Sequence, residues 1–274
     1  MLLDQFVDEV YAVYRQISAG TLEQLHVAVG HVGRSLARPP SLADLSDTLL
    51  SGMAGAMLKA GKSRSTVNKT LRLVLALARF ARRRHLTDYR PDVEKIPEKR
   101  ADPQAWTVAE LGRLLAEAGR DAVWGPTLTA LLLLYYDTGL RCRDALNLPR
   151  ADLAGDRLTL VERKTGKRRT FVLHSQTTAA LAQLSGDMLI PYGFVTVTPL
   201  RKALRRALKA AGLPTGRKDL FQRIRRTAAT QCAASGGDAT AFLGHSAAWV
   251  TNTFYLDRRH GRPTDVARYL PRPS

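Results

Sequence analysis

Residues 220–257 gather side chains suited to chemistry on a phosphate: Arg225, Arg226, His245 and Tyr255. A guanidinium fork matches phosphate oxygens bidentately. A tyrosine hydroxyl is a covalent nucleophile once its proton is accepted. Taken alone, this stretch fits a basic helix, a capping loop and a core tyrosine equally well, so the rest of the chain decides between the two interpretations.

Charge is the second signal. The chain has 274 residues, with 42 Lys and Arg against 24 Asp and Glu, a net charge of +18. Such an imbalance predicts an acidic partner, and nucleic acid is the commonest one. A membrane surface is the rival interpretation, but the basic residues are spread over many segments instead of clustering beside one apolar helix.

Several function classes are excluded by what the chain lacks. The two cysteines, Cys142 and Cys232, have neither metal-ligand spacing nor a disulfide framework, which predicts a reduced, cytoplasmic setting. With DNA as the expected partner, we expect the protein to be nucleoid-associated. The N-terminus has acids inside its apolar pattern, so we expect no signal peptide. There is no apolar run long enough for a membrane span, no P-loop and no dinucleotide fingerprint. We therefore predict no cofactor and no metal.

The N-terminal part is predicted to be all-helical, and its last helix, residues 64–84, is the most informative. An apolar stripe covers one face, while another face is basic. No acid occurs between Asp47 and Asp88. A solvated surface would normally mix charges, so we predict that this face contacts the DNA backbone. The predicted contact residues are Lys62, Arg64, Asn68, Lys69, Arg72, Arg79 and Arg83.

Prolines and charges dominate residues 91–105, which we interpret as a linker. It separates a helical domain, residues 1–90, from a second domain, residues 106–274. That domain opens with a capping box, Thr107 to Glu110. A buried helix at residues 127–136 ends near Gly139, and the charged pair Arg141 and Asp144 follows directly. A charge so close to the core needs a partner, and Asp144 is the nearest in sequence.

Residues 157–173 alternate apolar and polar residues around a turn that contains Lys164 and Lys167, which predicts a β-hairpin. A helix at residues 198–211 presents Lys202 and Arg205 on its polar side as further DNA-binding candidates. The predicted fold class is therefore mainly α with a small β-hairpin or sheet, an α+β protein.

Four segments together resemble the tyrosine recombinases, the phage-integrase family. They are Thr138 to Arg141, the hairpin turn with Lys164, Ile224 to Thr227, and Leu243 to Ser246 followed by Tyr255. Their order and spacing agree with the family over residues 106–255. Residues 65–84 are similar to the last helix of its SAM-like core-binding domain. The resemblance implies a helical core-binding domain followed by a recombinase catalytic domain with a short C-terminal tail.

The resemblance also implies a reaction. Tyr255 would attack the scissile phosphodiester, giving a 3′-phosphotyrosyl DNA and a free 5′-hydroxyl without ATP. Arg141 and Arg225 would clamp the non-bridging oxygens, and His245 would donate a hydrogen bond to the phosphate or the tyrosine oxygen. Lys164 would protonate the leaving oxygen, with Lys167 as its rival.

Two further residues receive supporting roles by the same resemblance. Asp144 is expected to orient the arginine and imidazole groups that contact the phosphate, and Arg226 is expected to support Arg225.

Gln222 departs from the family pattern, which usually has a histidine three residues before the second arginine. Glutamine donates a hydrogen bond but takes no proton. Three outcomes are open: the tyrosine proton passes to water or phosphate, His245 accepts it, or the enzyme is slow or inactive.

Together with the basic charge, the resemblance predicts a site-specific DNA recombinase or integrase acting on double-stranded DNA. The resemblance further implies a homotetramer on DNA, and we expect a monomer or weak dimer without DNA. The alternatives are a DNA-binding protein with a recombinase fold and little or no activity, and a topoisomerase-like or hairpin-forming relative. The tail after Tyr255 is expected either to pack on a neighbouring protomer or to fray.

Overall fold

The computed structural model describes residues 1–98, 101–162, 166–191, 197–216, 220–257 and 259. The chain divides into two compact units, Met1–Arg100 and Ala101–Ser274. The boundary between them falls inside the proline-containing segment 91–105. Among the described residues, no helix is both long and apolar enough to span a membrane.

Unit 1, Met1–Arg100, is helical throughout its core. Its elements are α1 (Leu3–Gln5), a π-helical segment (Phe6–Tyr11), α2 (Ala12–Arg15), α3 (Ala19–Leu36), a 3-10 turn (Leu42–Asp44), α4 (Asp47–Lys59) and α5 (Arg64–Arg83). Helix α5 begins where the Ser63 hydroxyl accepts the Thr66 N–H, and it buries its apolar stripe against α3 and α4. The predicted amphipathic helix is confirmed, with its cations on the outer face.

The segment after α5 packs against helices α4 and α5 of the same unit. The Tyr89 hydroxyl donates to Asp47 at 2.5 Å. The Asn68 amide pairs with the Ile96 backbone in both directions, at 2.9 Å each. Part of the proposed linker therefore has the hydrogen bonds of an ordered segment.

Unit 2, Ala101–Ser274, packs helices around one buried helix and a small sheet. Its helices are α6 (Val108–Gly119), α7 (Gly125–Thr138), α8 (Cys142–Ala145), α9 (Ser175–Ala182), α10 (Thr198–Ala210), α11 (Phe221–Ala234), α12 (Ala239–Leu243) and α13 (Ala248–Phe254). The capping box that opens α6 is confirmed, since Thr107 and Glu110 bond each other's backbone N–H. Helix α7 is buried on nearly every side and contacts α6, α9 and α11.

The sheet has three antiparallel strands in the order β1 (Leu153–Ala154), β2 (Arg157–Val161) and β3 (Arg168–Val172). Leu158 faces Phe171 in the register of β2 and β3, and both side chains join the core. The predicted hairpin is confirmed. Strand β1 was not predicted, because two residues are too few to show an alternating pattern. The fold class, mainly α with a small β-sheet, is confirmed.

Candidate active site

Arg141 is positioned by the end of α7. Gly139 ends that helix in the left-handed conformation, with φ of 57°. A Cβ on Gly139 would lie 2.8 Å from the Phe242 ring, so glycine is needed both for the turn and for the close approach of α12. Arg141 is the residue immediately before α8, and 28% of its side chain is exposed. The guanidinium can therefore reach a ligand.

Arg225 lies on α11 and is only 1% exposed. Its guanidinium donates to the carbonyl oxygens of Gly139 and Leu243, the latter at 3.1 Å. It also lies 3.2 Å from Nε2 of His245. Burial lowers the pKa of Arg225, and the nearby Arg141 lowers it further. Three acceptors thus hold a buried cation in one orientation.

His245 follows Gly244, which ends α12 with φ of 68°. Its Nδ1 lies 2.9 Å from the Thr251 hydroxyl. Because a guanidinium has only donors, the Nε2 facing Arg225 must be the acceptor, which places the proton on Nδ1. Burial, followed by the charges of Arg225 and Arg141, lowers the pKa of His245 to about 4. The imidazole is therefore neutral at pH 7.

Tyr255 immediately follows α13, with its ring beside both groups. Its centroid lies 4.7 Å from that of the His245 ring and 5.2 Å from the guanidinium carbon of Arg225. The Thr230 hydroxyl donates to the Tyr255 carbonyl oxygen at 3.3 Å and accepts the Asp257 N–H at 3.0 Å. The backbone on both sides of the tyrosine is thereby tied to α11.

Asp257 anchors the same segment to the start of the unit. Its carboxylate is 2% exposed and accepts the Ala105 N–H at 2.9 Å. Burial acts to raise its pKa, but hydrogen bonds from Arg259 and the Ala105 backbone outweigh it, so the pKa of Asp257 falls to about 2. The carboxylate therefore stays ionised and ties the segment after Tyr255 to the start of the unit. The sequence analysis did not identify this residue.

Glu162 is a second residue that the sequence analysis missed. It follows β2, is 1% exposed, and accepts from Arg141 at 3.3 Å and from Arg169 at 2.8 Å. The predicted partner Asp144 is also buried but lies 3.9 Å from Arg141. One signal was present in the sequence: Glu162 is the only acid between residues 157 and 173, among six cations.

The predicted site residues therefore divide into groups. Arg141, Arg225, His245 and Tyr255 converge, and we call these four the catalytic cluster. Gln222 is exposed on α11, one turn before Arg225, and Arg226 is half-buried on the same helix. Lys164 lies outside the described residues. Its rival Lys167 is exposed, and the Lys167 carbonyl oxygen accepts the Glu162 N–H at 2.9 Å.

Most of the residues predicted to contact DNA lie in unit 1, and all of these except Asn68 are exposed. The exposed ones, Lys62, Arg64, Lys69, Arg72, Arg79 and Arg83, form what we call the basic face. Asn68 is half-buried, and its amide hydrogen-bonds to the backbone of Ile96. This pairing gives it a structural role, and its DNA contact stays a prediction. Arg64 also donates to the Pro97 carbonyl at 2.8 Å.

The C-terminal end of α5 borders an open cavity of about 920 Å³. Its lining is strongly basic, with one acid, and comprises Arg79, Arg82, Arg83, His85, Thr87, Asp88, Arg90 and Pro91. In unit 2, Lys202 and Arg205 are exposed on α10, as predicted for its polar side.

Two curated relatives match the chain in sequence. A tyrosine recombinase XerC from Rhizobium meliloti is 28% identical over 267 residues, covering 85% of this chain and 79% of the relative. One from Mesorhizobium japonicum is 30% identical over 155 residues. That match covers 54% of this chain and about half, 48%, of the relative's length. No family model matches the chain.

Solved structures share the fold. A lambda integrase tetramer bound to a Holliday junction superposes with a TM-score of 0.76 at 19% identity, covering 97% of this chain and 80% of that one. The Tn1549 transposon integrase in complex with circular intermediate DNA gives 0.73 at 17% identity, covering 98% of each chain. The chain thus resembles the tyrosine recombinases in sequence and has their fold, as its four motifs predict.

Proposed function

We propose that this chain is a site-specific DNA recombinase that cleaves and rejoins DNA through a covalent tyrosine intermediate. The observation that carries the proposal is the catalytic cluster, in which the Arg225 guanidinium and the His245 imidazole lie beside the Tyr255 ring within one chain. The Arg141 guanidinium is near enough to both groups for its charge to lower their pKa values. Every member occupies a position in one of the four sequence motifs. The whole reaction is proposed from this arrangement together with the family resemblance.

In the proposed cleavage step, the Tyr255 hydroxyl oxygen forms a bond to the scissile phosphorus. The bond from phosphorus to the 5′ oxygen breaks, which leaves a 3′-phosphotyrosyl strand and a 5′-hydroxyl strand. The ester retains the bond energy, so attack by a 5′-hydroxyl reverses the step without a nucleotide cofactor. Neither step changes a redox state or requires a bound metal.

Arg141 and Arg225 stabilise the charge that develops on the non-bridging oxygens. Arg225 is preorganised for this role, because three acceptors already fix the orientation of its guanidinium. A preorganised donor of this kind contributes on the order of 10²-fold or more to the rate. The Arg141 side chain is 28% exposed, which suits direct phosphate contact.

The tyrosine proton has three possible acceptors: water, a phosphate oxygen and His245. The Nε2 of His245 accepts from Arg225 in the structure, so donation from this atom requires protonation or the other tautomer. A phosphate placed beside the ring adds negative charge, which raises the pKa of His245 and favours imidazolium. We therefore propose that DNA binding prepares His245 to donate. Gln222 supplies a hydrogen bond at most.

Protonation of the leaving oxygen is assigned to Lys164, with Lys167 as the alternative. Asp144 is assigned to support of Arg141, and Arg226 to support of Arg225. The basic face and the cations Lys202 and Arg205 of α10 are proposed to neutralise DNA phosphates. We propose a homotetramer on DNA that forms from monomers or weak dimers, acting in the cytoplasm on the nucleoid.

The test is covalent capture. Sheared DNA of the source genome is incubated with the chain, denatured, and searched for protein-linked fragments, whose sequences define the site. A nicked duplex carrying that site then loses its short leaving strand after cleavage, so the adduct accumulates on a denaturing gel. Wild type is expected to form the adduct, and Tyr255→Phe is expected to bind the duplex equally well without forming it.

The alternatives give different results. A chain that binds the duplex specifically yet forms no adduct is a DNA-binding protein with a recombinase fold, and the proposal is then wrong. A topoisomerase-like enzyme forms the same adduct but relaxes a supercoiled plasmid without exchanging strands between two duplexes. The topology of the product therefore separates the two enzymes.

A further inference from the structure

We propose that Glu162 and Arg169 are positioning residues for the cleavage step. Glu162 fixes the Arg141 guanidinium, and Arg169 fixes the turn that carries His245. This inference rests on the proposed function, because it concerns how the catalytic cluster is held. It assigns a role to an ion pair that none of the four motifs includes.

Glu162 connects two arginines through different oxygens. Its Oε2 accepts from Arg141 at 3.3 Å, and its Oε1 accepts from Arg169 at 2.8 Å. Because the carboxylate is 1% exposed, water does not screen these contacts as it would at the surface. Arg141 lies close to both carboxylates, but Glu162 is nearer than Asp144. Glu162 is therefore the main restraint on the direction of Arg141.

Arg169 extends the connection to α12. Its second terminal nitrogen, Nη2, donates to the carbonyl oxygens of Ala241 at 3.3 Å and Phe242 at 2.5 Å. The last carbonyl oxygens of a helix have no partner within that helix, so the guanidinium satisfies them and complements the negative end of the helix dipole. Arg169 thus ties the C-terminal end of α12, which Gly244 terminates, to strand β3.

Gly244 closes the arrangement. A Cβ at this position would lie 3.0 Å from both Arg169 Nη1 and Glu162 Oε1, so the turn packs directly on the ion pair. The next residue is His245, whose Nε2 contacts Arg225. One network therefore runs from Arg141 through Glu162 and Arg169 to the His245 turn. Moving either member of the pair displaces groups on both sides of the expected phosphate position.

The energetics favour a positioning role over a purely stabilising one. A buried ion pair adds little net stability, since desolvation offsets its attraction. Errors of about 1 Å in the position of a catalytic group cost on the order of 10²-fold in rate. The pair therefore affects the cleavage rate more strongly than it affects the affinity for DNA.

The experiment uses the nicked duplex defined under Proposed function, at saturating protein. Glu162→Gln keeps the shape but loses the charge, and Arg169→Met keeps an unbranched apolar stem but loses the charge and every donor. Each is expected to slow adduct formation about 10- to 100-fold, while Kd for the duplex changes less than about twofold. Arg169→Lys restores the charge and a single donor nitrogen, and it is expected to recover part of the rate. The double variant should be less impaired than the product of the two single effects, because both act through one network.

Asp121→Asn is the matched control. Asp121 makes an ion pair with Arg206 at 2.5 Å, is 13% exposed, and belongs to the same unit without being part of the catalytic cluster. This variant is expected to cleave within about twofold of wild type. Equal slowing in Asp121→Asn and Glu162→Gln would overturn the proposal, because any lost carboxylate of unit 2 would then have the same effect.

A second substrate distinguishes a defect in positioning the arginines that hold the phosphate from a defect in protonating the leaving oxygen. Replacing the leaving 5′ oxygen by sulfur gives a thiolate that departs without a proton, because thiols are far more acidic than alcohols. The Glu162→Gln and Arg169→Met defects are expected to persist on this substrate. Full rescue by sulfur would overturn the proposal, as would wild-type rates for both variants on the oxygen substrate. A wild-type chain that forms no adduct instead contradicts the proposed function itself.

Discussion

The catalytic cluster of unit 2 and the basic face of unit 1 use positive charge in opposite ways. Arg225 is 1% exposed and fixed by three acceptors, whereas Arg72, Arg79 and Arg83 are exposed along α5. A buried, oriented cation has already lost its water and can stabilise a transition state at once. An exposed cation keeps its water and attracts phosphate in a salt-dependent way. We therefore expect the catalytic cluster to set the cleavage rate and the basic face to set the affinity for DNA.

The strongest challenge to this division is a change inside the cluster. Arg225→Lys keeps the charge but loses the planar fork that reaches Gly139, Leu243 and His245. We expect cleavage of the nicked duplex to fall by on the order of 10²-fold or more, with affinity within about twofold. Single-turnover adduct formation and a fluorescence titration measure the two quantities. Loss of affinity equal to the loss of rate would contradict the division.

Gln222→His sharpens the account of the cluster itself. Gln222 is exposed one turn before Arg225, so an imidazole fits there without disturbing the core. If the proton of Tyr255 has no efficient acceptor in the wild type, the new imidazole should raise the cleavage rate by about tenfold or more at pH 7. Gln222→Asn is the control that adds no base. An unchanged or lower rate means that the residue at 222 does not limit the reaction.

Removing charge from the basic face should affect affinity alone. The double variant Arg79→Gln and Arg83→Gln is expected to weaken binding several-fold at physiological salt. The slope of log K against log salt should fall by about 2, roughly 0.9 for each lost phosphate contact. The cleavage rate at saturation should stay the same. Two exposed arginines outside the predicted interface, Arg15 and Arg120, provide a double-glutamine control with the same change in net charge. An identical slope in both double variants would remove the basic face from the DNA interface.

The smallest expected effect concerns the pH dependence of stability. The pKa of His245 is about 4 in the folded chain, against 6.5 normally. Between these values the unfolded chain binds more protons at this position, so stability falls as pH decreases from about 6.5 to 4. His245→Asn lacks this contribution. The Tm of the wild type should therefore drop more than that of the variant over this interval, by on the order of 2 °C. Equal Tm losses would mean that the imidazole is not buried as described.

Local patterns in the sequence predicted much of this architecture. The Thr107 capping box, the helix that ends at Gly139 and the hairpin of β2 and β3 all form as predicted, because each depends on neighbours in the chain. The convergence of Arg141, Arg225, His245 and Tyr255 was accessible only through the family resemblance. Their separations in sequence are too large for periodicity to relate them.

The residues that support the site were harder to predict. Glu162, Asp257 and Asn68 act through partners that are distant in the chain: Arg141 for the first, the Ala105 backbone for the second and the Ile96 backbone for the third. A charged or amide side chain is normally solvated, so residue type alone does not predict burial. For Glu162 the one signal was its position as the only acid among the six cations of residues 157–173. Only the tertiary fold identifies the partners.

The central claim is that Tyr255 becomes bonded to DNA. The direct measurement is mass spectrometry of the captured adduct after digestion with nuclease and trypsin. The account predicts a nucleotide joined through its 3′ phosphate to the peptide that contains Tyr255, with a free 5′-hydroxyl on the released strand. A nucleotide on any other residue, or a 5′-phosphate linkage, would contradict it.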